Sequence, residues 1–419
     1  MTPGRGKMMM MAARIPGGRI SRRGVLAAGA GAVGLALSRR AAADQAAVAI
    51  ALIAPLSGDW AEHGVLMREG AQFAIDQINA QGGIAALGGA RLQLVVADTG
   101  SSVETAVSAA QRVLGGGKVS AALGCWLSSF TLGATEIAER VRVPWLTFSY
   151  ADRLTSRGYR YTFRDNAPSS VQIPQALKLI TEASAREGKP MRTIGIVGDN
   201  TAASQAAYGI VRKVAPQFGL TLVVEQVWTP PLANPDAIAD AIKAAQPDLI
   251  HAAATSFSDT AGLIQAMRAH EVKTAVLGAG SQFLTPEFVK AVGGGDKLTG
   301  LATIVGDGVL KGMEQLSAGY EKQYGHPMIE DSAEAYAETW IIKEALEAAR
   351  SADPQKLRDA LAGLHLTQGP ATFLPGGEVQ FDSTGQNVKA SVAIQQWQGG
   401  RIVTVAPENA ATGRLIPLQ

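Results

Sequence analysis

An α/β fold of two lobes with mostly parallel sheets is what the sequence predicts, on three observations. Apolar runs of strand length alternate with helical periodicity from Val48 onward. The alternation breaks at 159–164, where aromatics alternate as in an extended crossing, and then restarts. The C-terminal stretch changes to short alternating runs joined by Gly-rich turns.

The opening unit sets the pattern. Val48–Ala54 is an apolar strand bounded by Pro55, and a polar loop follows at 57–64. Met67, Ala71, Ala74, Ile75 and Ile78 then recur three and four apart, a helix that Gly82-Gly83 stops. Strands follow at 91–97, 120–123 and 145–148, with helices at 104–114 and 131–140 between them. Four such alternations imply right-handed crossovers and place the loops near 57–63, 125–129 and 149–152 on one sheet edge, where open α/β sheets hold ligands.

After the crossing, strands are predicted at 193–197, 221–227, 249–253, 274–277 and 301–305. Helices are predicted at 203–218, 236–245, 260–269 and 286–291. Long helical patterns follow at 313–324, 333–349 and 352–362. Short strands at 371–373, 379–381, 390–396 and 401–405 end the chain.

The 419 residues, 47% of them apolar, support two domains with full cores. Residues 1–43 hold eight of the 38 Lys and Arg and none of the acids, so the remainder carries 30 bases against 36 acids. A mildly acidic chain without a basic stripe is a poor match for nucleic acid. The basic start, Arg22-Arg23 and a short apolar segment ending at Ala41-Ala42-Ala43 read as a twin-arginine-type signal peptide over 1–43. The mature chain is then expected in the periplasm, not embedded in the membrane.

Enzyme chemistry finds no support. There is no GxGxxG opening a helix, no P-loop and no nucleophile elbow, and the five histidines show no ligand spacing. Asp98-Thr99-Gly100 has the order of an aspartic-protease triplet, but one copy after a strand reads as a turn. Cys125, the lone cysteine, lacks a base partner and reads as a buried inert thiol. No cofactor and no metal are expected. What remains is a cleft without a reaction. Ser57, Trp60, His63, Trp126, Tyr150, Tyr208 and Phe257 are its candidate walls, and Ser128, Ser129 and Ser149 its candidate hydrogen-bonding groups.

At this point the chain resembles the type I periplasmic solute-binding proteins of ABC importers, in the branched-chain amino acid and amide-binding branch. The residues that carry the resemblance include Pro55-Leu56-Ser57-Gly58, Gly70-Ala71, Gly82-Gly83-Ile84, Ser128-Ser129, Tyr161-Thr162-Phe163-Arg164, Pro247-Asp248 and Tyr336. The resemblance spans 46–419. It implies two Rossmann-like lobes joined by three crossings, near Arg164-Asp165, near Val305-Asp307 and near Gly369-Phe373. Lobe one is then 46–164 with 307–370, and lobe two is 165–306 with 371–419.

It also implies a small-molecule solute between the lobes and membrane permease subunits as partners, with the chain itself a monomer. By match, the ligand carboxylate falls to Ser128, Ser129, Ser149 and Ala151, the last standing where the family often has threonine. His63 covers the ligand, and the second lobe reaches it near Tyr208 and Ser256-Phe257. The acid that pairs with an α-ammonium falls near Ala279-Gly280, where this chain has none. An unpaired buried ammonium costs roughly several kcal/mol, so Asp152, Asp259 or Asp331 replaces it, or the ligand lacks that charge. The simplest ligand is an amino acid. A carboxylate or amide without an α-amino group is the alternative, and a ligand-sensing subunit with no transport role is the alternative of another class.

Overall fold

The structure is a computed structural model that describes residues 47–306 and 313–416. The leader expected over 1–43 lies outside the described residues, as does Asp307 of the second crossing. In chain order the first lobe opens with β1 (Val48–Ala54), α1 (Ala61–Ala80), β2 (Leu92–Asp98), α2 (Val103–Leu114) and β3 (Ala121–Gly124). It continues with α3 (Ser128–Val141), β4 (Trp145–Thr147), the short α4 (Arg153–Ser156) and β5 (Thr162–Arg164). The sheet order is β2-β1-β3-β4-β5, parallel throughout.

The alternation along β1 shows why this lobe is wound on both faces. Ile50, Leu52 and Ala54 pack into one core with α1, while Ala51 and Ile53 pack into another with α2 and α3. A strand apolar on both sides reads as a continuous apolar run, as the sequence showed.

The second lobe holds α5 (Ser169–Arg186), β6 (Thr193–Asp199), α6 (Ala202–Val214), β7 (Thr221–Trp228), α7 (Pro235–Ala245) and β8 (Leu249–Ala253). Then come α8 (Phe257–Ala269), β9 (Ala275–Ala279), α9 (Pro286–Val292) and β10 (Ala302–Val305). The chain returns to the first lobe for α10 (Glu314–Tyr324), α11 (Glu330–Ala349), α12 (Pro354–Ala362) and a small ribbon of β11 (His365–Leu366) and β12 (Val379–Gln380). It ends in the second lobe with β13 (Ala393–Gln398) and β14 (Arg401–Ala406). The second sheet runs β14-β13-β10-β9-β8-β6-β7, with β13 and β14 antiparallel additions to a parallel core. Helix α11 lies close on α1. A Cβ on Gly70 would sit 1.9 Å from the Ser332 carbonyl oxygen, so only glycine permits that approach.

Two expectations differ from the structure, and one element was not anticipated. Ala371, Val379 and Phe381 pack into the first-lobe core, so the chain is still in lobe one beyond 370, and the third crossing moves from Gly369-Phe373 to about 387–392. The strand expected at 371–373 is a 3-10 turn, Pro370–Thr372. Helix α5 was not anticipated from the sequence, because Pro174 interrupts its pattern; the helix accommodates that proline in its second turn.

Candidate functional site

In both sheets the strand order reverses at one point, between β2-β1 and β3 in lobe one and between β7-β6 and β8 in lobe two. Residues after β1 and β4 touch residues after β8 and β9 across the seam. Trp60 Nε1 donates to the Thr255 carbonyl at 3.5 Å, and the Glu287 N–H donates to the Glu62 carboxylate at 2.8 Å. Leu66 of α1 and Ile329 join the apolar core of lobe two.

The centre of the seam is an aromatic stack beside buried acids. His63 lies flat on Trp126, with ring centroids 3.7 Å apart and an interplanar angle of 15°. Trp126 adopts φ +85°, a left-handed backbone that costs a non-glycine residue about 1–3 kcal/mol and is concentrated at functional sites. His63 Nδ1 contacts Asp331 Oδ2 at 2.8 Å, and the Ser281 hydroxyl donates to Asp331 Oδ1 at 2.9 Å. Asp331 and its neighbour Glu330 open α11 with no exposed surface. The Glu330 carboxylate accepts the Gly306 N–H at 2.6 Å and faces the Tyr150 hydroxyl. Burial and the surrounding negative charge of Glu330, Asp331 and Glu334 hold the Tyr150 phenol well above its ordinary value.

Of the three acids the sequence offered, the structure brings only Asp331 to the seam. Asp152 is exposed and bound by the Ser170 hydroxyl, and Asp259 accepts the Trp228 indole N–H at 3.0 Å. The gap at Ala279-Gly280 also has a physical reason. Gly280 holds φ +94°, a backbone that a residue with a side chain rarely adopts, while a Cβ there would make only ordinary contact with the Tyr150 ring at 3.7 Å.

The remaining candidates divide. Ser128 is half-buried at the start of α3, and its hydroxyl accepts the Ala151 N–H at 3.2 Å. Ser129 is exposed beside it, and the first N–H groups of α3 have no helical acceptor, so they suit an anion. Ser256 caps α8, with Phe257 half-buried next to it. Ser57 is exposed and donates to Asp98 at 2.6 Å. Burial pushes the Asp98 carboxyl up, but bonds from Ser57, Gly100 and Leu56 outweigh it and hold it below the carboxylate range.

Two expected contact residues have their hydroxyls engaged within the chain. The Ser149 hydroxyl is consumed internally by the Trp126 carbonyl at 2.8 Å and by Thr131 at 2.8 Å. The Tyr208 side chain is fully buried, and its hydroxyl donates to the Ala253 carbonyl at 2.6 Å. Both hydroxyls hold the loops that carry them.

Sequence reading missed Arg164 as an organiser, although it carried the resemblance. Its buried guanidinium donates to the Ala151 carbonyl at 2.6 Å, to Thr155 at 3.0 Å and to Gln386 at 2.7 Å, tying the loop after β4 to the first and third crossings. Burial lowers its pKa to about 10, so it keeps its charge at neutral pH. Ser281 and Glu330 were missed too, since nothing in the sequence puts a serine after β9 or the first acid of a helix on a lobe seam. Among the described residues no cluster of His, Cys, Asp or Glu suits a metal ion, and no helix is long and apolar enough to cross a membrane.

A family model described as "Periplasmic binding protein" matches residues 47–401. The Leu/Ile/Val-binding protein homolog 8 of Brucella melitensis is 26% identical over 375 residues, covering 86% of this chain and 91% of that one. Homolog 7 of Brucella abortus is 25% identical over 393 residues, covering 91% and 96%. Among solved structures, the branched-chain amino acid transporter substrate-binding protein LivJ of Streptococcus pneumoniae, in complex with isoleucine, superposes with a TM-score of 0.71. It is 20% identical and covers 88% of this chain and 99% of that one. A solute-binding protein of an R. palustris ABC transporter, in complex with benzoate, gives 0.70 at 18% identity, covering 88% and 98%.

Proposed function

The chain belongs to the periplasmic binding protein family, and on that premise we propose that it captures an amino acid in the seam between its lobes and delivers it to the permease subunits of an ABC importer. Membership makes it a periplasmic solute-binding protein rather than an enzyme. The observation that carries the amino-acid reading is Asp331, buried at the seam between His63 of lobe one and Ser281 of lobe two. A seam with two fully buried acids favours a solute that brings positive charge, because a bare carboxylate meets like charge there. The Ser128 hydroxyl and the start of α3 supply the opposite polarity for the solute's own carboxylate. The names of the Brucella relatives and the isoleucine in the Streptococcus pneumoniae protein support the same class.

The His63–Trp126 stack favours a second reading, an aromatic carboxylate without an amino group, and the benzoate complex supports it. Export by the twin-arginine route through residues 1–43 belongs to the same proposal. A thermal-shift screen of the mature chain against amino acids, amides and aromatic acids tests it. A site ligand at a hundred times its Kd stabilises by about 2.7 kcal/mol. Shifts with amino acids are expected. Shifts with benzoate-like acids alone transfer the assignment to the second reading, and no shift with any class contradicts both.

A further inference from the structure

Helix α1 meets both lobes, and it does so on two different faces. His63 and Met67, four residues apart, turn into lobe one, where His63 contacts Asp331 and Met67 joins the core beneath the helix. Glu62 and Leu66, the adjacent row at the same spacing, turn to lobe two. Leu66 is 2% exposed and packs into the core that holds Phe283 and Phe288. Glu62 is half-buried; its carboxylate accepts the Glu287 N–H at 2.8 Å, and the Thr285 hydroxyl faces it. Trp60, just ahead of the helix, donates to the Thr255 carbonyl of lobe two.

The Glu62 contact answers a need that lobe two leaves open. The first turn of α9 has backbone donors to place at Glu287, Phe288 and Val289, since Pro286 carries none. The Phe288 N–H goes to the Thr285 hydroxyl at 3.2 Å and the Val289 N–H to the Thr285 carbonyl at 3.1 Å, both inside lobe two. The Glu287 N–H goes instead to Glu62, in the other lobe. Parting the lobes returns that donor and that carboxylate to water, so the bond belongs to the closed arrangement alone.

We infer that Glu62 is a closure latch, a positioning residue that caps α9 from across the seam and weights the closed lobes, with or without solute, while touching no solute itself. His63 is the next residue, so the turn of α1 that walls the site also fastens it. A latch that acts on closure raises affinity for every solute by one factor and leaves selectivity to the walls. The inference does not depend on which solute the chain takes. The Glu287 carboxylate stands near Glu62 as a like charge and trims the gain. A hydrogen bond to a charged group, made only on closing, weights the closed form about tenfold.

The test is the distance between spin labels on Lys118→Cys of lobe one and Lys243→Cys of lobe two, both exposed positions, in the solute-free mature chain. Cys125 is buried and takes no label. The latch predicts a shorter closed distance beside a longer open one, with a closed-to-open ratio that falls about tenfold in Glu62→Ala. Glu62→Gln keeps an oxygen for the Glu287 N–H and is expected to stay within about threefold of the parent. A merely structural role for Glu62 would lower the urea midpoint and leave the ratio unchanged. Equal ratios in the parent and Glu62→Ala, a single shared distance included, overturn the latch, as does a loss that Glu62→Gln fails to restore. Either result leaves the receptor reading standing, and a thermal-shift screen without any hit leaves the latch to its own test.

Discussion

The Ser281 hydroxyl, carried by lobe two, donates to the Asp331 carboxylate, carried by lobe one, at 2.9 Å. The same carboxylate holds His63, which lies against Trp126. One acid therefore ties lobe closure to the aromatic wall. Ser281→Ala is expected to weaken solute binding by about 1.5–3 kcal/mol, the range for a hydrogen bond to a charged group, with little change in unliganded stability. Asp331→Ala leaves His63 and Ser281 without their partner and is expected to cost about 3–5 kcal/mol of stability as well. Calorimetry and denaturant titration separate the two effects.

Ser149 and Tyr208 serve as a contrast. Their hydroxyls are spent on the Trp126 and Ala253 carbonyls, so Ser149→Ala and Tyr208→Phe are expected to lower stability by about 1 kcal/mol and to leave the solute Kd within a factor of three. A tenfold loss of affinity in Tyr208→Phe with unchanged stability would return Tyr208 to the binding surface.

Buried acids also line the hinge. Glu330, Glu334 and Glu338 follow one another at four-residue spacing on α11, all fully buried, with Asp165 of the first crossing opposite. Burial pushes Glu330 up to about 7, and burial with mutual repulsion pushes the Asp165 and Glu338 carboxyls above their ordinary values. The folded chain therefore binds more protons than the unfolded one wherever the pH lies between the usual carboxylate range and these raised values. Stability is expected to fall as pH rises from about 4 to 7, by about 1.4 kcal/mol per pH unit for each proton taken up on folding. Glu338→Gln is expected to flatten that slope and raise stability at pH 7–8, which urea titrations at a series of pH values will read.

Cys125 is buried, and burial raises its thiol pKa far out of the reactive range despite the opposing bond from Thr131. The native chain is expected to be inert to a thiol reagent such as dithiobis-nitrobenzoate at pH 8 and to react with one equivalent in denaturant. Fast labelling of the folded chain would contradict that burial.

The lobes were legible because strands such as β1 are covered on both faces and so read as unbroken apolar runs. The grouping of Trp60, His63, Trp126 and Ser128 followed from strand-end positions, although His63 and Ser128 lie in the first turns of α1 and α3. Helix α5 was hidden by Pro174, and the third crossing by a stretch of short elements with no period to follow. The acids were the hardest to read. Glu and Asp at a helix start ordinarily suggest a solvated first turn, yet α11 is buried around most of its circumference, so Glu330, Asp331, Glu334 and Glu338 all lie inside. Only the packing of α11 against α1 and the crossings turns those letters into a site.

The claim everything rests on is that a solute is enclosed between hinged lobes. Small-angle X-ray scattering of the mature chain, with and without a solute that calorimetry shows to saturate it, tests this most directly. The account predicts a smaller radius of gyration at saturation as open molecules close. Superimposable profiles for the empty and fully occupied chain would contradict it.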